Sequence, residues 1–179
     1  MINEVIKKNG ITFGILTGVV LSVITALMYA IDIELFIAWW TSLISFSVFI
    51  IIPIIGFNKK KKELKEIFPF KEAFTTYFIT AVIGVLISVA FKIILLNVID
   101  PSAKDTLLDL TIKYLISTSE KFGVPASSLN ETISNLKKTD PFSIVEQLKG
   151  SIFTIFFCAL LGLIMAAFFK SKTSSQEFN

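Results

Sequence analysis

Asn58-Lys59-Lys60-Lys61-Lys62-Glu63-Leu64-Lys65-Glu66 stands between two long, almost uninterrupted apolar runs, and six lysines fall between Phe57 and Ala73. If the flanking runs cross a bilayer, lysine gathered beside them marks the cytoplasmic side. The order of everything else in the chain follows from this loop, residues 58–72.

Composition supports the bilayer reading. Of 179 residues, 54% are hydrophobic and 17% charged, and the mean hydropathy of +0.76 exceeds what a soluble core of this size requires. All 17 basic residues are lysine, with no arginine and no histidine. Absent histidine removes the commonest general base and metal ligand, and absent arginine removes the bidentate phosphate clamp. Nucleic acid is therefore not an expected partner despite the formal net charge of +3. Cys158 is the single cysteine, so no internal disulfide can form, and it reads as a small packing residue.

Outward from the hinge, the apolar runs divide into four spans, approximately residues 10–31, 35–57, 73–99 and 152–169. Gly10 to Ile31 carries no charge over 22 residues, about 30 Å of helix and the thickness of the hydrocarbon layer. Lys7-Lys8 ahead of it resembles a signal-peptide start, but no small-x-small cleavage pair follows, so the run is read as a retained helix. Small residues recur at every fourth position, Gly10, Gly14, Gly18, Ser22, Ala26 and Ala30, a stripe that lets a second backbone approach closely. Thr80-Gly84-Ser88 and Thr154-Cys158-Gly162-Ala166 repeat the device in the third and fourth spans. Trp39-Trp40 suits a headgroup boundary at the start of the second span, and Pro53 sits near its far end.

Pro69 is expected to start the third helix, with the aromatic residues of Ile67-Phe68-Pro69-Phe70 along the membrane surface. The third span holds one charge, Lys92, about 27 Å along the axis from Phe74. It can snorkel to the far headgroups or pair with Asp32 or Glu34 in the first turn. Residues 100–151 form the sizeable polar region. Asp100-Pro101 predicts a helix to about Lys121, stopped by Gly123 and Pro125. Ser128-x-x-Glu131 predicts a capping box for a short helix. Asp140-Pro141 predicts the start of one continuous helix to about Lys170, roughly 45 Å long. The tail, 171–179, is polar and expected to be disordered.

The expected fold is all-α: one four-transmembrane-helix bundle, with a helical extracytoplasmic loop between spans three and four. Two lysines precede the first span, six lie in the hinge and two follow the fourth, whereas the first turn on the opposite side has two acids and no base. Both termini and the hinge are therefore expected to be cytoplasmic.

The Gly14 and Gly18 start, the lysine hinge, Phe70-Lys71-Glu72-Ala73-Phe74 at the head of span three, Asp100-Pro101 after it and a helical loop before span four resemble bacterial proteins grouped as domain of unknown function 4199. Order and spacing carry the resemblance, which covers nearly the whole chain. It implies a multi-pass protein of the bacterial inner membrane and brings no catalytic residue, activity or cofactor.

No residue is assigned as catalytic, cofactor-binding or metal-binding. A serine or metalloprotease site needs His, a thiol oxidoreductase needs paired Cys, and a carboxylate dyad needs two acids at membrane depth. Asp100, Asp105 and Asp109 near one helical side read as a solvated first turn rather than a cation site. The expected function is a non-enzymatic scaffold or interaction protein. Its partners are the lipid bilayer and either a second copy or another membrane protein. The alternative is a small transporter or channel subunit, for which only Lys92 and the hydroxyls of Thr12, Thr17, Ser22, Thr25, Thr80 and Ser88 could face a path. Such hydroxyls commonly bond their own backbone.

Overall fold

The computed structural model describes residues 4–64 and 69–170. The tail expected to be disordered, 171–179, and Ile67 and Phe68 of the aromatic stretch lie outside the described residues. The described chain is all-α. Helices α1 (Glu4–Ile31), α2 (Trp39–Leu64), α3 (Phe70–Ile94), α4 (Ser102–Phe122), α5 (Ala126–Thr139) and α6 (Ile144–Phe169) follow one another, with a 3-10 turn at Ile33–Phe36 and a π-helical turn at Leu95–Ile99.

Local chemistry sets several of these boundaries away from those the sequence pattern suggests. Leu35 to Ala38 precede α2 rather than beginning it, because Asp32 Oδ1 accepts from the Glu34 amide at 2.9 Å and folds the chain into a tight turn. At its other end α2 continues past Phe57 to Leu64, since leaving lipid does not by itself stop a helix. Pro53 is buried within α2, which runs through it. Gly123 closes α4 at φ 65°, a left-handed turn that glycine takes without a Cβ penalty.

Two capping expectations are corrected. α5 starts at Ala126 behind Pro125 without a side-chain cap, so Ser128 lies inside the first turn and its carbonyl accepts from Thr132 Oγ1. Asp140 closes α5 rather than opening α6. It takes φ 38°, and its Oδ1 accepts from the Phe142 amide at 3.1 Å. Ser143 caps α6 by accepting from the Glu146 amide, and the long helix therefore begins at Ile144 rather than Pro141.

Helix α3 is the hub. Its buried residues Ala73, Thr76, Tyr77, Thr80, Ala81, Gly84 and Val85 recur at helical spacing, and it packs against α1 and α6 while α2 leans chiefly on α1. Gly10, Gly14 and Gly18 of α1 meet Ile79, Ile83 and Ile87 of α3 in ascending order, so the two helices run parallel. A Cβ added at Gly10, Gly14 or Gly18 would lie 2.9, 2.7 or 2.5 Å from the facing isoleucine Cβ. The backbones are thus closer than any side chain at these positions would permit. Contact continues from the other side, where Thr17 sits over Gly84 and Thr80 Oγ1 donates to the Gly10 carbonyl at 3.2 Å. The fourth-span stripe works in the same way on α3, with Gly162 of α6 accommodating the Tyr77 ring.

Among the described residues, four helices are long and apolar enough to cross a membrane: Ile6–Ile31, Trp39–Lys59, Phe70–Ile99 and Ile144–Phe169. No more than 33% of the apolar window in any of them is buried. Large side chains such as Leu27, Leu43, Phe46, Ile152, Phe153 and Phe168 point outward. An apolar exterior of this extent is stable in a lipid solvent and not in water.

Candidate functional site

Because α2 rests on α1 and α6 rests on α3, α2 and α6 are neighbours without a shared packing seam. They meet at the end of the bundle nearest the lysine hinge, where the Phe57 and Phe169 rings lie 5.3 Å apart. There Asn9 Nδ2 also donates to the Gly56 carbonyl at 3.3 Å. Towards the opposite end the two helices diverge. The gap between them is a cleft of about 710 Å³, floored by α1 and α3 and walled by Ser45 and Phe49 of α2 and Thr154 and Phe157 of α6. A contiguous recess of about 190 Å³ extends it to Ser88 on α3. The combined size suits a small-molecule or single-chain ligand, for which clefts run to roughly 300–1,000 Å³.

Lys92 lines both spaces. It is half-buried, and its ammonium makes no hydrogen bond or ion pair among the described residues. The pairing with Asp32 or Glu34 that the topology suggested is corrected. The two acids sit with Lys113 and Tyr114 in a separate pocket between the 3-10 turn and α4, while Lys92 lies two turns inside the span.

The hydroxyls around Lys92 do not supply what it lacks. Thr25 Oγ1 donates to Leu21, Ser45 Oγ to Thr41, Ser88 Oγ to Val85 and Thr154 Oγ1 to Gly150, in each case a carbonyl of the same helix. Thr12, Thr17 and Ser22 do the same elsewhere, whereas Thr80 crosses to α1. Of the hydroxyl donors that line the cleft, Thr25, Ser45, Ser88 and Thr154 are committed in this way and Ser42 is not, and the Lys92 ammonium is the charged donor without a partner there. The ammonium favours an entering acceptor, and a negative one gains most.

A second polar cluster joins α3 to the loop helices. Asp100 Oδ2 accepts from Tyr29 Oη at 2.7 Å, and its Oδ1 accepts from the Ser102 hydroxyl and the Ser102 and Ala103 amides. The Ser102 hydroxyl above all, then Tyr29, holds the Asp100 carboxyl below the ordinary carboxylate range. Lys104 Nζ bonds Asn97 Oδ1 at 3.2 Å and pairs with Asp140 at 3.6 Å. Asn97 and Gln147 both donate to the Phe142 carbonyl. These bonds tie the starts of α4 and α6 to the end of α3, and Asp100 is spent on them rather than aligned with Asp105 and Asp109. No group of three or more metal-ligating side chains occurs among the described residues.

Sequence singled out Lys92 and, of the hydroxyls that line the spaces beside it, Thr25 and Ser88. Thr154 entered as a member of a packing stripe, and Ser45 carries no signal of its own, because serine and threonine satisfied by their own helix are ordinary in membrane spans.

No curated protein and no solved structure matches the chain. The family described as Protein of unknown function (DUF4199) matches residues 12–171. With four apolar helices folded as one bundle and that match spanning nearly all of it, this multi-pass membrane protein belongs to the DUF4199 family.

Proposed function

We propose that the protein is a non-enzymatic scaffold or interaction protein of the bacterial inner membrane, with both termini and the 58–72 loop in the cytoplasm and α4–α5 outside. The observation that carries this reading is the α4–α5 hairpin. α5 has no buried residue, and its Leu129, Ile133 and Leu136 are half-covered by α4, the helix it packs on. α4 in turn is anchored to the 3-10 and π-helical turns. Tyr114, Phe122 and Val124 remain exposed. A hairpin held at its base, with apolar side chains free at its tip, is built to meet a second copy or another membrane protein rather than to complete its own core. Photo-crosslinkers at Tyr114 and Phe122 in living cells, followed by mass spectrometry, are expected to capture one recurrent species. If neither a partner nor a self-dimer is captured, the reading is refuted.

Orientation rests on the lysine distribution. A reporter active only outside the cytoplasm should be silent when fused after Lys62, and activity there would invert the topology.

The cleft favours a second reading, a small transporter or channel subunit with Lys92 in its path. Solute flux in proteoliposomes that is abolished by Lys92→Met is its test.

A further inference from the structure

Lys92 presents an unusual balance of forces. An ammonium inside an apolar span is costly unless something neutralises or hydrates it, and among the described residues no carboxylate or hydroxyl of the helices around it bonds this one. The cleft it faces opens sideways between α2 and α6, and its rim is formed by Phe46, Phe157 and Ile164, all outward-facing. Lys92 lies seven residues before Ile99, the last residue of its span, about 10 Å along the axis. That places it just beneath headgroup level in the leaflet at the α4 end, on a side chain able to reach upward.

From this geometry we propose that the cleft is a lateral site for one anionic phospholipid of the surrounding leaflet. One acyl chain lies between α2 and α6 against Phe49 and Phe157, and the phosphate is drawn down to the Lys92 ammonium. Charge complementarity selects the headgroup, because the unpaired cation is the strong donor in the cleft and the apolar walls reject a fully hydrated anion. The lateral opening selects a molecule that arrives through the bilayer and keeps its second chain there. This goes beyond the scaffold reading and does not depend on whether the α4–α5 hairpin finds a protein.

The test is lipid retention by the full chain purified in detergent. It is offered equal amounts of phosphatidylglycerol and phosphatidylcholine with identical acyl chains, and bound lipid is counted by native mass spectrometry. One tightly held phosphatidylglycerol is expected. Lys92→Met should weaken its retention about tenfold, the loss of one charge-assisted contact, and Lys92→Arg should preserve it. Ser45→Trp, which fills the cleft while leaving the ammonium in place, should also release the lipid, so the proposal remains decidable if Lys92→Met does not fold. Equal retention of the two lipids, or phosphatidylglycerol held as firmly by Lys92→Met and Ser45→Trp as by the parent, would overturn the proposal. Displacement of phosphatidylglycerol by an equal concentration of palmitate would overturn it too, assigning the cleft to free fatty acids.

Discussion

Replacing Gly18 by alanine adds a single methyl group, and the structure says where it goes. The new Cβ would lie 2.5 Å from Ile87 Cβ and 2.8 Å from Ile87 Cγ2, whereas ordinary contact begins near 3.4 Å. Ile87 cannot rotate away from a clash with its own Cβ, so α1 and α3 must separate. A gap of roughly 0.5–1 Å forfeits a quarter to a half of each dispersion contact along the seam, and overpacking of this type costs about 1–3 kcal/mol. Against this, alanine is favoured over glycine in a helix interior by about 1 kcal/mol. The net loss at Gly18 is then about 0–2 kcal/mol, toward the upper end because its approach is the closest of the three. It should shrink through Gly14 to Gly10, where the closest approaches relax to 2.7 and 2.9 Å. Gly150 is the internal control: nothing lies within 4 Å of its added Cβ, so Gly150→Ala should stabilise by about 0.5–1 kcal/mol. Cys158, the single cysteine and buried, makes the assay simple. A fluorogenic thiol dye reports its exposure as the detergent-solubilised protein is heated. Melting temperatures ordered Gly18→Ala, Gly14→Ala, Gly10→Ala, parent, Gly150→Ala are expected. A Gly18→Ala variant as stable as Gly150→Ala would refute the close parallel packing of α1 on α3.

Two further outcomes follow from the loop end of the bundle. The Asp100 carboxyl is held below its ordinary range in the folded chain by the Ser102 and Tyr29 hydroxyls, so its stabilising effect is complete above the unfolded carboxylate pKa and is lost as pH falls through the lowered folded value. Melting temperature should drop on that acid limb, and Asp100→Asn should flatten the drop while lowering stability at neutral pH; an unchanged acid profile in Asp100→Asn would contradict the assignment. Gly123 has open space around it but sits at φ 65°, so Gly123→Ala should cost about 1 kcal/mol through backbone strain alone, with Gly123→Asn milder; equal stability of all three by the same thiol assay would rule out the left-handed turn.

What the sequence displayed and what it concealed divide along physical lines. The four spans were legible because hydrocarbon thickness imposes a length that few other pressures imitate, and the α1 stripe was legible because glycine at spacing four is rare by accident. Its counterpart was not. Ile79, Ile83 and Ile87 are β-branched residues in a run full of them, and nothing local says which isoleucines face glycine and which face lipid. Ser128 illustrates the opposite failure, since Ser-x-x-Glu occurs inside helices as readily as at their starts, and Pro125 had already opened the turn. Asp140 was seen as a cap but assigned to the wrong helix, because a left-handed residue can end one helix as well as precede another. The cleft was illegible for a different reason: it arises from which helices are not packed together, and absence of contact leaves no periodicity.

The parallel joint between α1 and α3 also constrains how the molecule is made. Spans adjacent in the chain, α1 and α2, share the lesser contact, while the glycine-faced joint links spans separated by a whole hairpin. Until the third span has left the ribosome, three glycines of the first face lipid or the insertion machinery, with no isoleucine ridge to cover them. The nascent chain is therefore loosest after two spans have emerged and gains its grip with the third, so a stall or truncation within 65–78 would leave an open, prey-like intermediate for membrane quality-control proteases.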